Sequence, residues 1–230
     1  RDDMWANRSS QEGDAMKAGV RCLFVLGVAT GMMAAARAEA TDTPIPGLKI
    51  KIADATQPGV AHRKIIFVSK DPAIPLPADG SAGDPSLNGG SLRVVNTAGS
   101  GESQLLALGA GNWQRIPGDP SDPLRGWKYK EVVSTPPSFD YKIKVVLKQT
   151  LSGVVLRALV KDDRGSVISY TLDEPTQGSV GVEVSTGSDR TCPGFGGTMV
   201  EDASTDLGGD VYRGAFAAKL APPPASCASP

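Results

Sequence analysis

Aromatic and basic side chains gather in one stretch of the chain and offer chemistry for recognising a ligand. Trp113, Trp127 and Tyr129 fall within seventeen residues, and Arg115 and Arg125 stand among them. Flat rings can stack on sugar rings while guanidinium groups donate hydrogen bonds, which predicts a carbohydrate-binding surface. The alternative is that both tryptophans are core residues of neighbouring strands, because aromatic side chains bury large apolar areas.

Lysines that alternate with apolar residues indicate a second recognition surface. They lie in two segments that have the pattern of half-buried strands: Lys49, Lys51, Lys142, Lys144 and Lys148. A lysine-covered sheet face can meet an anionic polymer, although it is also typical of a solvated face that resists aggregation.

Residues that commonly carry catalysis are scarce. His62 is the only histidine, and its place between two strand candidates predicts an exposed turn residue. The sequence lacks the motifs of nucleotide-binding loops, serine hydrolases and zinc proteases. We therefore predict no catalytic residue and no cofactor.

Acidic residues leave two weaker possibilities open. Adjacent acids occur at 162–163, 173–174 and 201–202, and a glycosidase needs two carboxylates that converge in a cleft. Asp119 and Asp122 offer oxygen atoms of the kind that calcium takes, but their spacing is not that of an EF-hand loop. We expect these acids to be solvated and predict no metal site.

The charge balance argues against nucleic acid as a partner. The chain has 24 Lys and Arg against 25 Asp and Glu, with a formal net charge of -1. A general nucleic-acid binder needs a basic excess to displace the counterions of the phosphates. We expect a carbohydrate or a protein as partner.

Residues 1–40 are expected to comprise polar upstream residues at 1–15 and an export signal from Met16 onward. A basic start at 16–21 precedes an apolar run at 22–36, and Ala38-Glu39-Ala40 has the form of a cleavage site. The apolar run is shorter than the roughly 20 residues of a membrane span, although a buried helix or a membrane anchor is the alternative. We expect cleavage near Ala40, a secreted or periplasmic protein without a membrane span, and a single domain at 41–230.

Two cysteines remain after that cleavage, Cys192 and Cys227. An even number of cysteines in an exported protein predicts a disulfide, which would fasten the proline-rich C-terminal tail to the domain. A reactive or metal-binding thiol pair is the alternative.

An apolar period of two predicts an all-β protein of about ten to twelve strands, arranged as an antiparallel sandwich or jelly roll. A β-solenoid is the alternative, but the sequence has no fixed-period repeat. We expect a hairpin over 142–160 that turns near Ser152-Gly153, and a second that returns over 166–172. Residues 71–90 have the composition of a surface loop, with a linker as the alternative, and residues 202–210 have the polarity of a loop.

Several segments together resemble a family of exported, β-rich bacterial proteins. The segments that carry the resemblance are 63–72, 84–94, Asn112-Trp113, 126–130, and the pair Cys192 and Cys227 with 195–197, 217–219 and 221–223. The Pro193-Gly194 pair departs from the pattern we would expect. The resemblance implies export and a β fold, and it supplies no catalytic residue.

Three functions fit these observations. The first is an exported, non-enzymatic sandwich that binds a surface polymer or a partner protein. The second is a secreted polysaccharide hydrolase or lyase that uses carboxylates. The third is a passive structural component of the envelope. We favour the first because catalytic motifs are lacking.

Overall fold

Two β-sheets face each other in the structure, a computed structural model that describes residues 41–118, 124–135, 138–208 and 211–227. The predicted export signal lies outside the described residues. The structure confirms the all-β sandwich, with thirteen strands among the described residues. No helix in these ranges is long and apolar enough to cross a membrane.

The strands are numbered along the chain. Their bounds are β1 Thr41–Ile45, β2 Gly47–Gln57, β3 Val60–Asp71, β4 Gly90–Asn96, β5 Ser103–Leu108, β6 Trp113–Pro117, β7 Leu124–Thr135, β8 Ser138–Thr150, β9 Gly153–Asp162, β10 Val180–Thr186, β11 Asp189–Phe195, β12 Thr198–Gly208 and β13 Val211–Ala221. One helical turn, α1 (Pro85–Asn88), lies in the loop between β3 and β4 and is capped by the Asp84 carboxylate.

The first sheet has five strands in the order β1-β11-β10-β4-β5, and the second has eight in the order β12-β13-β2-β3-β9-β8-β7-β6. All pairs are antiparallel except the parallel pair of β1 and β11. The predicted hairpin over 142–160 is confirmed, since β8 and β9 pair up to Thr150 and Gly153. β2 and β3 pair with β13 and β9, so they belong to the large sheet rather than to a separate unit.

The core lies between the two sheets. Apolar side chains of alternate residues point inward, as the period of two requires, and the Phe67 ring of the large sheet lies 6.4 Å from the Phe195 ring of the small one. Large side chains buried to 2% exposure or less include Ile50, Ile65, Leu92, Trp127, Tyr170 and Phe216.

Two sequence expectations about strands are wrong. Residues 166–172 form no strand, and residues 202–208, whose polarity indicated a loop, belong to the edge strand β12. An edge strand has only one neighbour, so exposed polar residues on it are compatible with pairing to β13. His62 likewise lies in β3 rather than in a turn, and its side chain is about half exposed.

Residues 163–178, which we call the strap, explain the first error. Ile168, Tyr170 and Leu172 alternate with polar residues and are buried, which reproduces the strand pattern. Side chains accept most of the described hydrogen bonds from the strap backbone, and one bond goes to a strand, from the Asp163 N–H to the Asp140 carbonyl oxygen of β8 at 2.9 Å. The acceptors are Asp162 for four N–H groups, Gln104 for Ser169, Glu102 for Thr171, Asp54 for Leu172, and Asp202 for Gln177 and Gly178.

The strap touches both sheets, because Gln104 lies on β5 of the small sheet and Asp54 on β2 of the large one. Its close approach to β13 requires a glycine at position 214, where a Cβ atom would overlap the Cβ of Leu172. The strap therefore closes one end of the sandwich.

Cys192 and Cys227 are joined as a disulfide, with Cα atoms 5.4 Å apart and a sequence separation of 35. Both cysteines are buried. The bond ties the tail after β13 to β11, as the cysteine count predicted.

Changing both cysteines to serine is expected to lower the free energy of unfolding by about 3–4 kcal/mol, because a closed loop of this length restricts the unfolded chain. Thermal unfolding of the double variant and of the wild type, each with and without reductant, measures the effect. A wild type whose unfolding is unchanged by full reduction would contradict this expectation.

Candidate functional site

The predicted aromatic platform is not on the surface. Trp113, Trp127 and Tyr129 are 5%, 0% and 1% exposed. The indole N–H of Trp127 donates to the carbonyl oxygen of Pro77 at 2.9 Å, and that of Trp113 donates to the carbonyl oxygen of Leu108 at 3.3 Å. The alternative that these rings are core residues of neighbouring strands is therefore what the structure has, and they cannot stack on a sugar.

The two arginines of the same set do not form a surface with these rings. The Arg115 guanidinium lies 2.5 Å from the Asp79 carboxylate and is half exposed, and Arg125 is exposed at the start of β7. Neither arginine has an exposed aromatic neighbour from the predicted set.

Glu131 uses both of its carboxylate oxygens inside the protein. Tyr129 donates to one oxygen and Tyr141 donates to the other at 2.7 Å. The hydrogen bond to Glu131, together with burial, raises the pKa of Tyr141 to about 12. Both phenols therefore stay protonated donors in neutral solution, which gives this cluster a structural role.

The outer face of the eight-stranded sheet gathers the lysines of the protein. Residues paired across neighbouring strands point to the same side of a sheet, so the strand registers show which side chains share this face. Every lysine of the described residues lies there, joined by Arg157 and Arg213. The lysines are Lys49, Lys51, Lys64, Lys70, Lys128, Lys130, Lys142, Lys144, Lys148, Lys161 and Lys219. We call this surface the lysine face.

Lysines occupy directly neighbouring positions within the lysine face. Lys161 on β9 pairs in register with Lys142 on β8 on one side and with Lys64 on β3 on the other. Lys130 on β7 likewise pairs with Lys144 on β8. Neighbouring strands lie about 4.8 Å apart, and like charges placed directly opposite each other destabilise a sheet.

The crowding of positive charge affects the pKa of one lysine on this face. The positive charge of Lys144 lowers the pKa of Lys142, with a smaller contribution from Lys161. At the outward positions of the four central strands, within 49–55, 62–70, 142–148 and 155–161, no residue is acidic. The face therefore carries a strong positive potential despite the net charge of -1 for the whole chain.

Apolar residues fill the positions between the lysines. Ile66, Val68, Val146, Val155 and Leu159 point outward and are half buried. Lysine stems cover apolar surface while their ammonium groups stay in water. The face therefore combines charged groups at its surface with an apolar layer beneath them.

Arginines are used differently from lysines in this protein. Ion pairs between Arg and acidic side chains include Arg63–Asp54, Arg93–Glu183, Arg164–Asp140 and Arg190–Asp42. A planar guanidinium suits fixed pairs with carboxylates, whereas an ammonium group is a mobile point charge. Because many arginines are held in ion pairs, lysines supply most of the positive charge of the lysine face.

Most acidic residues lie off the lysine face, although Glu201 on the edge strand β12 shares the side of Lys51. The three adjacent acidic pairs lie in different surroundings. Asp162 is buried and holds the strap, while Asp163 lies 3.5 Å from the imidazole of His62. Asp173 and Glu174 approach Glu102, with carboxylate oxygens within 4.8 Å of one another. Among the described residues, these three carboxylates lie close enough to one another to share a cation. Of the pair at 201–202, Asp202 holds the strap, and the calcium candidates 119 and 122 lie outside the described residues.

Glu102 is the carboxylate of this group with the altered acidity. Burial, assisted by the charges of Asp173 and Glu174, raises the pKa of Glu102, although Thr171 donates two hydrogen bonds to its Oε1. Its Oε2 atom has no partner among the described residues. This oxygen is also not in contact with solvent in the structure.

Sequence patterns identified only part of the lysine face. The alternation in β2 and β8 indicated five of its lysines, but those on β3, β7, β9 and β13 join it only through the strand registers, which the sequence does not state. A signal in the sequence could have identified these lysines, because in each of these strands they occupy the positions that alternate with the buried residues.

Comparison with family models, with curated proteins and with solved structures finds no match for this chain. The fold and the side-chain geometry therefore carry the functional argument.

Proposed function

We propose that the protein is exported and, without catalysing a reaction, binds an acidic polysaccharide on the lysine face. The observation that carries the proposal is the placement of every described lysine on one side of one sheet. The export pattern in residues 1–40 supports a partner outside the cytoplasm. Membership of the resembled exported family stays a prediction.

A polymer of carboxylated sugars fits this face by charge and by shape. Each lysine neutralises a carboxylate and releases condensed counterions, so that many weak contacts add to one binding energy. The sheet offers rows of lysines across several strands rather than one pocket, which suits an extended chain. Half-buried apolar residues between the rows offer contact to the less polar faces of sugar rings.

Binding to polygalacturonate, a polymer of carboxylated sugar, tests the proposal. Methyl-esterified polygalacturonate, which has the same backbone without the charge, is the matched control ligand. We expect binding to the acidic polymer only, weakened about 50-fold between about 50 and about 200 mM salt if about four contacts form. Calorimetry measures the affinity for each polymer and its dependence on salt. Equal binding to the esterified polymer, or no binding at low salt, would contradict the proposal.

A pair of variants locates the site. Lys142→Gln with Lys144→Gln removes two neighbouring charges from the lysine face and is expected to weaken binding about 10-fold. Arg115→Gln with Arg125→Gln removes the same charge outside the face and is expected to leave affinity within about 2-fold. The lysine variant relieves like-charge contacts, so it is expected to unfold at no lower temperature than the wild type.

If only the arginine variant loses affinity, the binding site lies near the buried aromatic residues and not on the lysine face. If duplex DNA or anionic lipid vesicles bind as tightly as the acidic polymer, the lysine face is an unselective polyanion-binding surface rather than a polysaccharide site. A blank result for all three would favour a passive structural role.

A further inference from the structure

A cleft of about 510 Å³ opens at the end of the sandwich that the strap closes. Its walls come from the ends of β2, β3, β12 and β13 and from strap residues near Thr171. The side chains of Asp54 and Arg63 point inward from the large sheet at this end, away from the lysine face. The cleft is therefore a second surface, separate from the one to which we assign the polymer.

The floor of the cleft is an ion pair that is already satisfied. The Asp54 carboxylate accepts hydrogen bonds from Arg63 Nε at 3.1 Å, from Thr56 Oγ1 at 3.0 Å and from the Leu172 N–H at 3.3 Å. Arg63 also donates to the carbonyl oxygen of Ile168 at 2.6 Å. This pair contributes no net charge and fixes the shape of the floor.

The rim of the cleft is negative. Asp173 on the strap and Asp206 on β12 both line the cleft and are exposed. Arg63 is the one cation among the described lining residues, and it is paired with Asp54. Two carboxylates therefore face the cleft without a cation in its lining to balance them.

The remaining wall supplies a ring and hydroxyl groups. Tyr212 and Val211 form the apolar part, and Thr56 and Thr171 carry hydroxyls into the lining. Burial raises the pKa of Tyr212 to about 12, helped by the charges of Asp54, Asp173 and Glu174 and partly offset by the Ser204 hydroxyl. The charge contributions show that the Asp54, Asp173 and Glu174 carboxylates lie near this wall of the cleft.

We propose that this cleft binds a small organic ammonium that also carries hydroxyl groups, such as an amino sugar. The carboxylates of Asp173 and Asp206 receive the ammonium group through charge-assisted hydrogen bonds. The threonine hydroxyls pair with ligand hydroxyls, and the Tyr212 ring packs against the apolar face of the sugar and attracts the cation. Concave sites of this volume with a few placed polar groups are the usual form of small-ligand sites.

Titration of the full chain with glucosamine tests the cleft, with glucose and N-acetylglucosamine as ligands of similar shape but without the positive charge. We expect glucosamine to bind with a Kd of about 1 mM, a weak affinity in keeping with its size, and the neutral sugars at least about 10-fold more weakly. Amide chemical shifts should move at Thr56, Thr171 and Tyr212. Equal binding of all three sugars, or shifts confined to other residues, would overturn the proposal.

Three variants separate the site from a general charge effect. Asp173→Asn and Asp206→Asn are each expected to weaken glucosamine binding about 10-fold, and both side chains are exposed, so the fold should persist. Glu201→Gln removes an exposed carboxylate from β12 outside the cleft lining and should have no effect. Loss of binding in Glu201→Gln equal to that in Asp206→Asn would overturn the proposal.

Calcium is the competing occupant, and titration with calcium chloride alone decides between them. Shifts at the cleft with calcium but none with glucosamine would replace the ammonium ligand with a metal ion. Polygalacturonate binding should be unchanged in Asp173→Asn and Asp206→Asn. A failure to bind glucosamine at the cleft therefore leaves the proposal for the lysine face standing. A failure to bind polygalacturonate likewise leaves the proposal for the cleft standing.

Discussion

Asp162→Ala is expected to lower the free energy of unfolding by about 4 kcal/mol, because it leaves the N–H groups that hold the start of the strap without an acceptor. The carboxylate is fully buried and accepts from Arg164, Ser166, Val167 and Ile168, the last two at 2.7 Å. For a domain of this size the loss corresponds to about 8–16 °C in melting temperature. Thermal and urea unfolding measure it.

Asp163→Asn is the matched control, because its carboxylate is one-third exposed and lies 3.5 Å from the half-exposed imidazole of His62. Its expected cost is below about 0.5 kcal/mol. Equal destabilisation by both variants would contradict the anchoring role of Asp162. Hydrogen exchange should become faster in the strap of Asp162→Ala before it does so in β8 and β9.

The same carboxylate makes stability depend on acid. Burial works to raise the pKa of Asp162, but the backbone N–H groups of Ile168, Val167, Ser166 and Arg164 outweigh it and hold the pKa below its usual value. A lowered pKa in the folded state means that the stabilisation is fully present above the ordinary Asp pKa of about 3.9 and is lost as the pH falls below it. Asp162→Ala should therefore show a weaker loss of stability between about pH 4 and pH 2 than the wild type.

Trp127→Ala is expected to destabilise the protein by about 4 kcal/mol, because the indole ring is fully buried and its removal leaves a cavity. The substitution also removes the partner of the Pro77 carbonyl oxygen, which anchors the loop between β3 and β4 to the core. Urea unfolding gives the free energy, and an unchanged m-value shows that the unfolding transition itself is intact.

Trp127→Phe distinguishes packing from the hydrogen bond. The ring area is largely kept while the N–H donor is lost, so the expected cost is about 1–2 kcal/mol. Leu151→Ala is the control, since Leu151 is fully exposed at the tip of the β8–β9 turn. A Trp127→Ala variant as stable as Leu151→Ala would mean that the ring is not a core residue.

Local pattern predicted the strands because burial on one side leaves a period of two in the sequence, as in 142–160. The strap shows the limit of that reasoning. Ile168, Tyr170 and Leu172 have the same period, but the acceptors for their segment are side chains distant in sequence, such as Gln104 and Asp54. Periodicity reports which side chains are buried and does not report what the backbone pairs with.

Composition alone also could not place the functional residues. Trp113 and Trp127 had the types expected for sugar binding, but residue type does not distinguish a platform from a core. The lysine face was only partly visible, because Lys64 on β3 meets Lys161 on β9 through a pairing between strands that are far apart in sequence. The near-neutral total charge concealed the separation of the two signs.

That separation gives the molecule a large electric dipole moment. Lysines cover one broad face, while the carboxylates of Glu102, Asp173, Glu174 and Asp206 gather at the strap end. A dipolar protein experiences a torque as well as an attraction near a charged surface, within a screening length of about 8 Å at physiological salt. Near an anionic surface, such a charge distribution favours the orientation that places the lysines foremost.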